Sequence, residues 1–533
     1  MAGYSQALAS TLLLLIGAYI WYLRWQDAAR RREESEEDPD AVLRDLPEPT
    51  ELAKALKASL PGNVLFPTDA PLFRQVLDSY WARHLRDVIP ACFVRPATVA
   101  QLQEAVRLIA EEHRRRGGKE GPGEELFTIK AGGASPAIGG STVKGGVVID
   151  LALFREVTVS EDERSVKVGS GLKWIDVYVR LAERGLTAPG GRTSPVGVGG
   201  LSLQGGLSFY TPIYGFVCSS VLAYDVVLAD GTAVMASPTS HADLFRALKG
   251  GASNFGIVTG FTLPCFGAGD IWFGCLYLPL QDRGLVRAFY DWTQETRRPG
   301  GFDAAASGPV TCFGYTRGLY LGVNYLAYTQ PPRDGGWPEY WRKSAFYKQW
   351  PIYSTARVRP IVQAVSELSE PSPPGSFNVM ATTTVKSDLD TLMHAYEAYL
   401  DLAREARPIS GIVVSLVFQP ILPQWAGKGA ANVLGLEGTA EPLVIVELSV
   451  TWEGAGGGDA RGATRRAVER MEAFAAARGT AHRYRFANYC AEWQDPMAGY
   501  GEANLEFMRR VSARYDAEGL FQRARRGPFR LGG

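Results

Sequence analysis

Lys130-Ala-Gly-Gly-Ala-Ser-Pro136 and Gly190-Gly-Arg-Thr-Ser-Pro-Val-Gly-Val-Gly-Gly-Leu-Ser-Leu-Gln-Gly-Gly206 are two glycine-dense stretches, each beside β-rich sequence. Glycine lacks a Cβ, so the main chain can approach a ligand closely, turn with φ > 0, and aim several N–H groups at one pyrophosphate. Two such loops in one chain point to a large phosphorylated cofactor. Spacing argues against the commoner phosphate loops. No Gly-x-x-x-x-Gly-Lys-Ser/Thr run is present. Gly197-Val-Gly199 comes near a dinucleotide fingerprint, but Ser202 stands at its third glycine, Pro195 lies just upstream and no helical pattern follows. The bland alternative is glycine punctuation between short strands.

Residues 91–264, taken whole, weigh against that alternative. Pro90-Ala-Cys-Phe-Val-Arg-Pro96, Gly132-Gly-Ala-Ser135, Gly145-Gly-Val-Val-Ile-Asp150, Gly197-Val-Gly-Gly-Leu201 and Leu228-Ala-Asp-Gly231 follow one another. Asp243-Leu-Phe-Arg-Ala-Leu-Lys-Gly-Gly251 and Asn254-Phe-Gly-Ile-Val-Thr259 close the block. Near the end, Asn488-Tyr489 and Gln494-Asp-Pro496 precede Tyr500-Gly501, Arg514-Tyr-Asp516 and Gly519-Leu-Phe-Gln522. In this order the motifs resemble the fungal form of the berberine-bridge-enzyme-like FAD-linked oxidoreductases, within the vanillyl-alcohol-oxidase superfamily. The likeness runs from about Pro61 onward, with the middle third weakly marked.

The resemblance implies an α+β fold: a two-lobed PCMH-type FAD-binding domain over 61–268, an α+β substrate domain with an antiparallel sheet over 269–479, and a C-terminal segment, 480–533, returning to the FAD domain. It implies FAD between the lobes, with the amides of Gly132, Gly133, Ala134 and Ser135 facing the pyrophosphate. Gly191, Val196, Gly197, Gly199, Gly200, Leu201 and Gly206 are its expected second-loop contacts, and Gly256, Ile257 and Val258 are expected at the adenine or flavin edge. Asn488 is expected to hydrogen-bond flavin or substrate. Tyr489 is the expected base, if nearby charge lowers its pKa from about 10; packing on the flavin ring is its competing role.

Departures from the family carry information as well. Many relatives tether FAD through a histidine in the first loop and a cysteine in the second, where this chain has Ala134 and Thr193. Neither side chain offers the nucleophile such a bond needs, so FAD is expected to be non-covalent and its oxidising power lower. Phe486 replaces a tyrosine that some relatives use. Val196 matches the position where valine in plant members lets oxygen reach the flavin. Gln419 and Tyr353 are weaker candidates to face substrate. The implied activity is oxidase chemistry: hydride from an alcohol or similar reduced carbon of a small metabolite to flavin N5, with O2 giving H2O2, in secondary metabolism. The alternative is a flavin-binding cyclase or isomerase with no net redox change, and a third reading is ligand binding without turnover.

Composition agrees with a large enzyme body. The 533 residues are 46% hydrophobic, with 23 Phe, 23 Tyr and 12 Trp, enough for two cores. Lys plus Arg equals Asp plus Glu at 56 each, which gives no electrostatic case for nucleic acid. The six cysteines show no Cys-x-x-Cys spacing, the five histidines are scattered, and Gly-x-Ser-x-Gly is absent, so neither zinc nor a serine hydrolase of that type is expected.

Residues 7–23 carry no charge and as a helix would span roughly 25 Å. Trp21, Tyr22 and Trp25 suit the membrane interface, and Arg24, Arg30, Arg31 and Arg32 follow with no Lys or Arg before, which orients the body toward the cytosol. A cleaved signal peptide, with secretion, is the alternative; it normally has a basic start and small residues at its cleavage site, whereas bulky aromatics end this run. None of the seven asparagines lies in Asn-x-Ser/Thr. The expected order is thus a transmembrane anchor at 1–26, then a charged tether and lead-in at 27–60. Apolar spacing predicts helices over 51–60, 70–85, 99–116, 174–184 and 461–478, and strands over 147–150, 157–159 and 166–168. Asp230-Gly231 predicts a hairpin.

Overall fold

Side-chain caps open the first helices. Thr50 accepts the amide of Ala53 at 3.2 Å ahead of Glu51–Ser59, and Thr98 accepts that of Gln101 at 3.3 Å ahead of Val99–Arg115. Leu52 and Leu56 on one helix and Leu102, Val106 and Ile109 on the other recur at helical spacing and pack in one apolar cluster. In this computed structural model residues 49–118, 125–278, 283–349, 351–454 and 457–532 are described. The expected anchor, and the charged run up to residue 48, lie outside them. Among the described residues no helix is long and apolar enough to cross a membrane.

The first lobe is a four-stranded sheet in the order Val64–Leu65, Cys92–Val94, Val147–Asp150, Phe127–Lys130, parallel except at its first pair. The second lobe is a five-stranded antiparallel sheet, Val157–Val159, Ser165–Gly169, Ile257–Pro264, Ala223–Val227, Ala233–Ala236. Its expected hairpin is present, with Gly231 at φ 81° making the turn that a side chain would resist.

The middle of the chain builds a nine-stranded sheet. Its order is Tyr353–Ser354, Ile271–Leu278, Leu319–Tyr328, Ala306–Thr316, Val413–Ile421, Leu443–Trp452, Phe377–Lys386, Ala481–His482, with Arg357–Arg359 also pairing on Ile271–Leu278. Every pairing is antiparallel. Burial alternates along Ala306–Thr316 and the first half of Val413–Ile421, fully buried then half-buried, as a sheet with one packed face requires. Helices Arg283–Glu295, Leu389–Ala406 and Ala460–Arg478 cover the packed face: Phe289 meets Phe418 and Tyr396 meets Phe313.

Several expectations change in detail. Residues 70–85 form two helices, Ala70–Asp78 and Arg83–Arg86, because Trp81 N–H leaves the helical path to bond Gly133 O at 3.0 Å. Val198–Leu203 is helical where no helical pattern was read. Helix Glu51–Ser59, in the expected lead-in, packs in the first lobe's core, and Ala481–His482 joins the large sheet.

Candidate active site

The two glycine loops meet. A Cβ on Gly132 would lie 2.6 Å from Gly197 Cα, and one on Gly197 would lie 2.7 Å from Gly132 Cα, so each position needs the hydrogen of glycine for the loops to pack. Backbone bonds hold the second loop to the segment before Trp174–Ala182: Trp174 N–H donates to Val196 O at 3.0 Å and Val198 N–H to Leu172 O at 2.9 Å. The Trp174 ring fills the space over Gly190 and Gly191, and Tyr178 OH donates to Gly191 O at 3.0 Å. Gly191 is therefore occupied by its own protein neighbours. Ala134, Ser135, Val196, Gly200 and Leu201 retain exposure in the loops, while Gly133, Gly197 and Gly199 are buried there.

Two groups of expected cofactor contacts also have neighbours within the protein. Asn488 accepts Gly206 N–H at 3.1 Å and donates to Leu201 O at 3.3 Å, so it latches the C-terminal segment to the second loop. Ile257 and Val258 are 1% and 3% exposed, buried in the two apolar clusters, and a Cβ on Gly256 would lie 2.6 Å from Val226. Side-chain packing claims this strand, leaving a cofactor only its main chain.

The residues around the loops suit FAD. A cleft of about 200 Å³ beside Gly132 is lined by Arg95, Lys130, Arg155, Lys173 and Asp150. Lys130 and Arg95 both reach Asp150, at 3.2 and 3.1 Å. Arg155 is also paired with Asp176 at 3.1 Å, and four cations against these two carboxylates leave a surplus of two positive charges that suits a diphosphate. The Ser170 and Ser202 hydroxyls and the Trp174 indole N–H are buried without a partner, an arrangement native interiors seldom leave unfilled.

Opposite the second loop stands a polar cluster carried by the large sheet. Gln419 donates to Tyr489 OH at 3.2 Å, and its carbonyl oxygen accepts from Arg192. Glu447 lies on the neighbouring strand, 5% exposed. Burial pushes its carboxyl up to about 8, with the Arg192 charge partly opposing. Burial also raises the Tyr489 phenol, and Glu447 adds to the rise. The lowering on which a tyrosinate base depended is therefore not what the site provides. Glu447 and Arg192 were not singled out from sequence. A signal was present, because Glu447 is the single charge in the apolar run Leu443-Val-Ile-Val-Glu-Leu-Ser-Val450, where burial without function is costly. Tyr353 stands at the sheet's edge, 62% exposed.

A family model described as FAD binding domain matches residues 90–237. The FAD-dependent monooxygenase tpcD of Cochliobolus heterostrophus is 31% identical over 470 residues, covering 84% of this chain and 86% of that protein. The chain belongs to the FAD-linked oxidoreductases that carry this domain, and it shares its fold with a berberine-bridge-enzyme-like protein of Physcomitrella patens. FAD-dependent monooxygenase sdcF of Emericella nidulans is 30% identical over 488 residues, 90% of this chain and 97% of that one. Among solved structures, the xylooligosaccharide oxidase of Myceliophthora thermophila C1 superposes with a TM-score of 0.71 at 21% identity, covering 90% of this chain and 99% of that one. As a member of the family, the chain is an FAD-dependent oxidoreductase with the PCMH-type fold.

Proposed function

We propose that this enzyme is an oxidase that takes hydride from an alcohol or similar reduced carbon of a small metabolite, with O2 as acceptor and H2O2 as by-product, using non-covalent FAD. The observation that carries the reading is the Arg192–Gln419–Glu447–Tyr489 cluster between the second glycine loop and the sheet. FAD, when bound, supplies N5 as the hydride acceptor. Glu447 takes the substrate hydroxyl proton, so that loss of one proton and one hydride turns the carbinol into a carbonyl. Tyr489 accepts from Gln419 and keeps its own proton to donate to the substrate oxygen. Arg192 places positive charge where that oxygen becomes negative. The amides of Gly132, Gly133, Ala134 and Ser135 are proposed for the pyrophosphate, and Ala134 and Thr193 leave the cofactor without a covalent link.

The names of tpcD and sdcF favour monooxygenation as a second reading. Anaerobic mixing of the FAD-loaded enzyme with candidate alcohols separates the possibilities. An oxidase bleaches its flavin with substrate alone and, in air, releases one H2O2 per turnover. A flavin that needs an added reductant before substrate is oxygenated overturns the oxidase reading, and conversion with an unchanged flavin spectrum indicates a cyclase. Acid precipitation tests the cofactor: yellow colour in the supernatant is expected. The uncharged run at 7–23 is proposed as a membrane anchor that leaves the body cytosolic, and recovery of the full-length protein in the carbonate-washed membrane fraction checks it.

A further inference from the structure

The register of the large sheet determines what its inner face presents. Residues directly opposite on adjacent strands share a face. Glu447 pairs with Val417, Val417 with Cys312, Cys312 with Val323, Val323 with Tyr277, and Tyr277 with Tyr353. Val310, Tyr325 and Cys275 form the neighbouring row on that face, and Gln419 joins it two residues along from Val417. This face looks toward the FAD domain: Phe273, two residues from Cys275, packs on Phe209 at 5.6 Å, and Ser307 donates to Ser208 O at 3.5 Å. The opposite face is covered by helices.

The far edge of this face carries Arg357 and Arg359, opposite Phe273 and Ile271, the stretch between is mostly apolar, and the near end is polar. Glu447 and Gln419 sit there with Arg192 and Tyr489. Beyond them the wall is Val417, Cys312, Val310 and then the half-buried ring of Tyr325, followed by Tyr277. At a strand spacing of about 4.8 Å, Tyr325 lies roughly 14 Å and Tyr277 roughly 19 Å from Glu447 across the sheet. We infer that this site takes an elongated, flat, mostly apolar substrate, a fused-ring aromatic alcohol whose hydroxyl sits on a carbon that still carries hydrogen, with that hydroxyl at Glu447 and its rings laid along Val417, Cys312 and Tyr325. The inference rests on the proposed reading only in treating the polar cluster as the reacting end. A ring system gains from apolar burial and from offset contact with tyrosine. A sugar would leave its hydroxyls facing valines and thiols without partners, a cost that rejects it.

Binding can be read separately from turnover, as a perturbation of the flavin absorption band when the FAD-loaded full chain is titrated without oxygen. The probes are 2-anthrol (three fused rings), phenol and xylobiose. The expected result is 2-anthrol binding at least about tenfold tighter than phenol, with no response to xylobiose. Tyr325→Leu should weaken 2-anthrol about tenfold and phenol little, while Tyr325→Phe keeps 2-anthrol within about threefold. Cys312→Asp, which puts a charge midway along the wall, serves if Tyr325→Leu does not load FAD. Xylobiose binding as tightly as 2-anthrol, no preference for 2-anthrol over phenol, no binding of either aromatic, or indifference of 2-anthrol binding to both wall changes would each overturn the inference. If 2-anthrol binds as expected but no fused-ring alcohol bleaches the flavin, the hydride-transfer reading fails and the substrate class stands.

Discussion

At Glu447, burial and charge pull in opposite directions, and burial wins: the Arg192 charge opposes the rise, yet the carboxyl is pushed up to about 8. A base acts only when deprotonated. Flavin reduction by substrate should therefore rise about tenfold per pH unit below 8 and level above it. Glu447→Gln should lose that rise and slow reduction by about 10²-fold or more; stopped-flow absorbance across pH 6–9 measures both. Stability runs the opposite way with pH. A carboxyl whose folded pKa lies above its unfolded value contributes stability that is complete below the ordinary range near 4.5 and is lost as pH rises through about 8. Melting curves should show Glu447→Gln gaining on the parent between pH 5 and pH 8. Tyr489→Phe should leave the pH dependence in place while lowering the rate, because the phenol, raised by burial, donates rather than accepts the proton.

At the scale of elements, the second glycine loop is positioned by what it touches. Gly197 and Gly132 are in van der Waals contact through their Cα atoms, whereas a Cβ on Gly200 would meet nothing within 4 Å. Gly197→Ala should push the loops apart and reduce FAD content after purification by about tenfold or more, while Gly200→Ala should melt within a degree or two of the parent; flavin absorbance per protein and thermal scans check the pair. The glycine pattern in the sequence located both loops, and capping and spacing located helices such as Val99–Arg115 and Ala460–Arg478. What it did not reveal was the neighbour of each glycine. Gly191 and Gly256 are glycines because Trp174 and Val226 crowd them, a fact invisible to any local pattern.

Across the whole molecule, the C-terminal tail closes the first lobe. Leu126 N–H donates to Ala524 O at 2.7 Å, Arg526 N–H to Phe127 O at 2.6 Å and Thr128 Oγ1 to Arg526 O at 3.0 Å, and Asn254 reaches Phe529 O at 3.0 Å. The tail thus covers the Phe127–Lys130 edge of the four-stranded sheet, an edge otherwise open to pairing with other chains. Deleting residues 523–533 should lower the melting temperature by at least several degrees and promote aggregation, measurable by thermal scanning with light scattering. The domain of the large sheet is tied on in the same long-range manner, with Ser194 N–H bonding Val365 O at 3.2 Å and Ser369 Oγ at 2.9 Å.

The sequence by itself determined the family, the two glycine loops, and most helices and strands of the FAD domain, because these depend on residue type at fixed local spacing. Only the tertiary structure assembled the polar cluster proposed to react. Arg192, Gln419, Glu447 and Tyr489 come from a loop, two strands and a short helical turn far apart in the chain, and their charge states follow from burial that no local window contains. The same holds for Asn488, whose contacts with Gly206 and Leu201 exist only because the fold brings the C-terminal segment to the second loop.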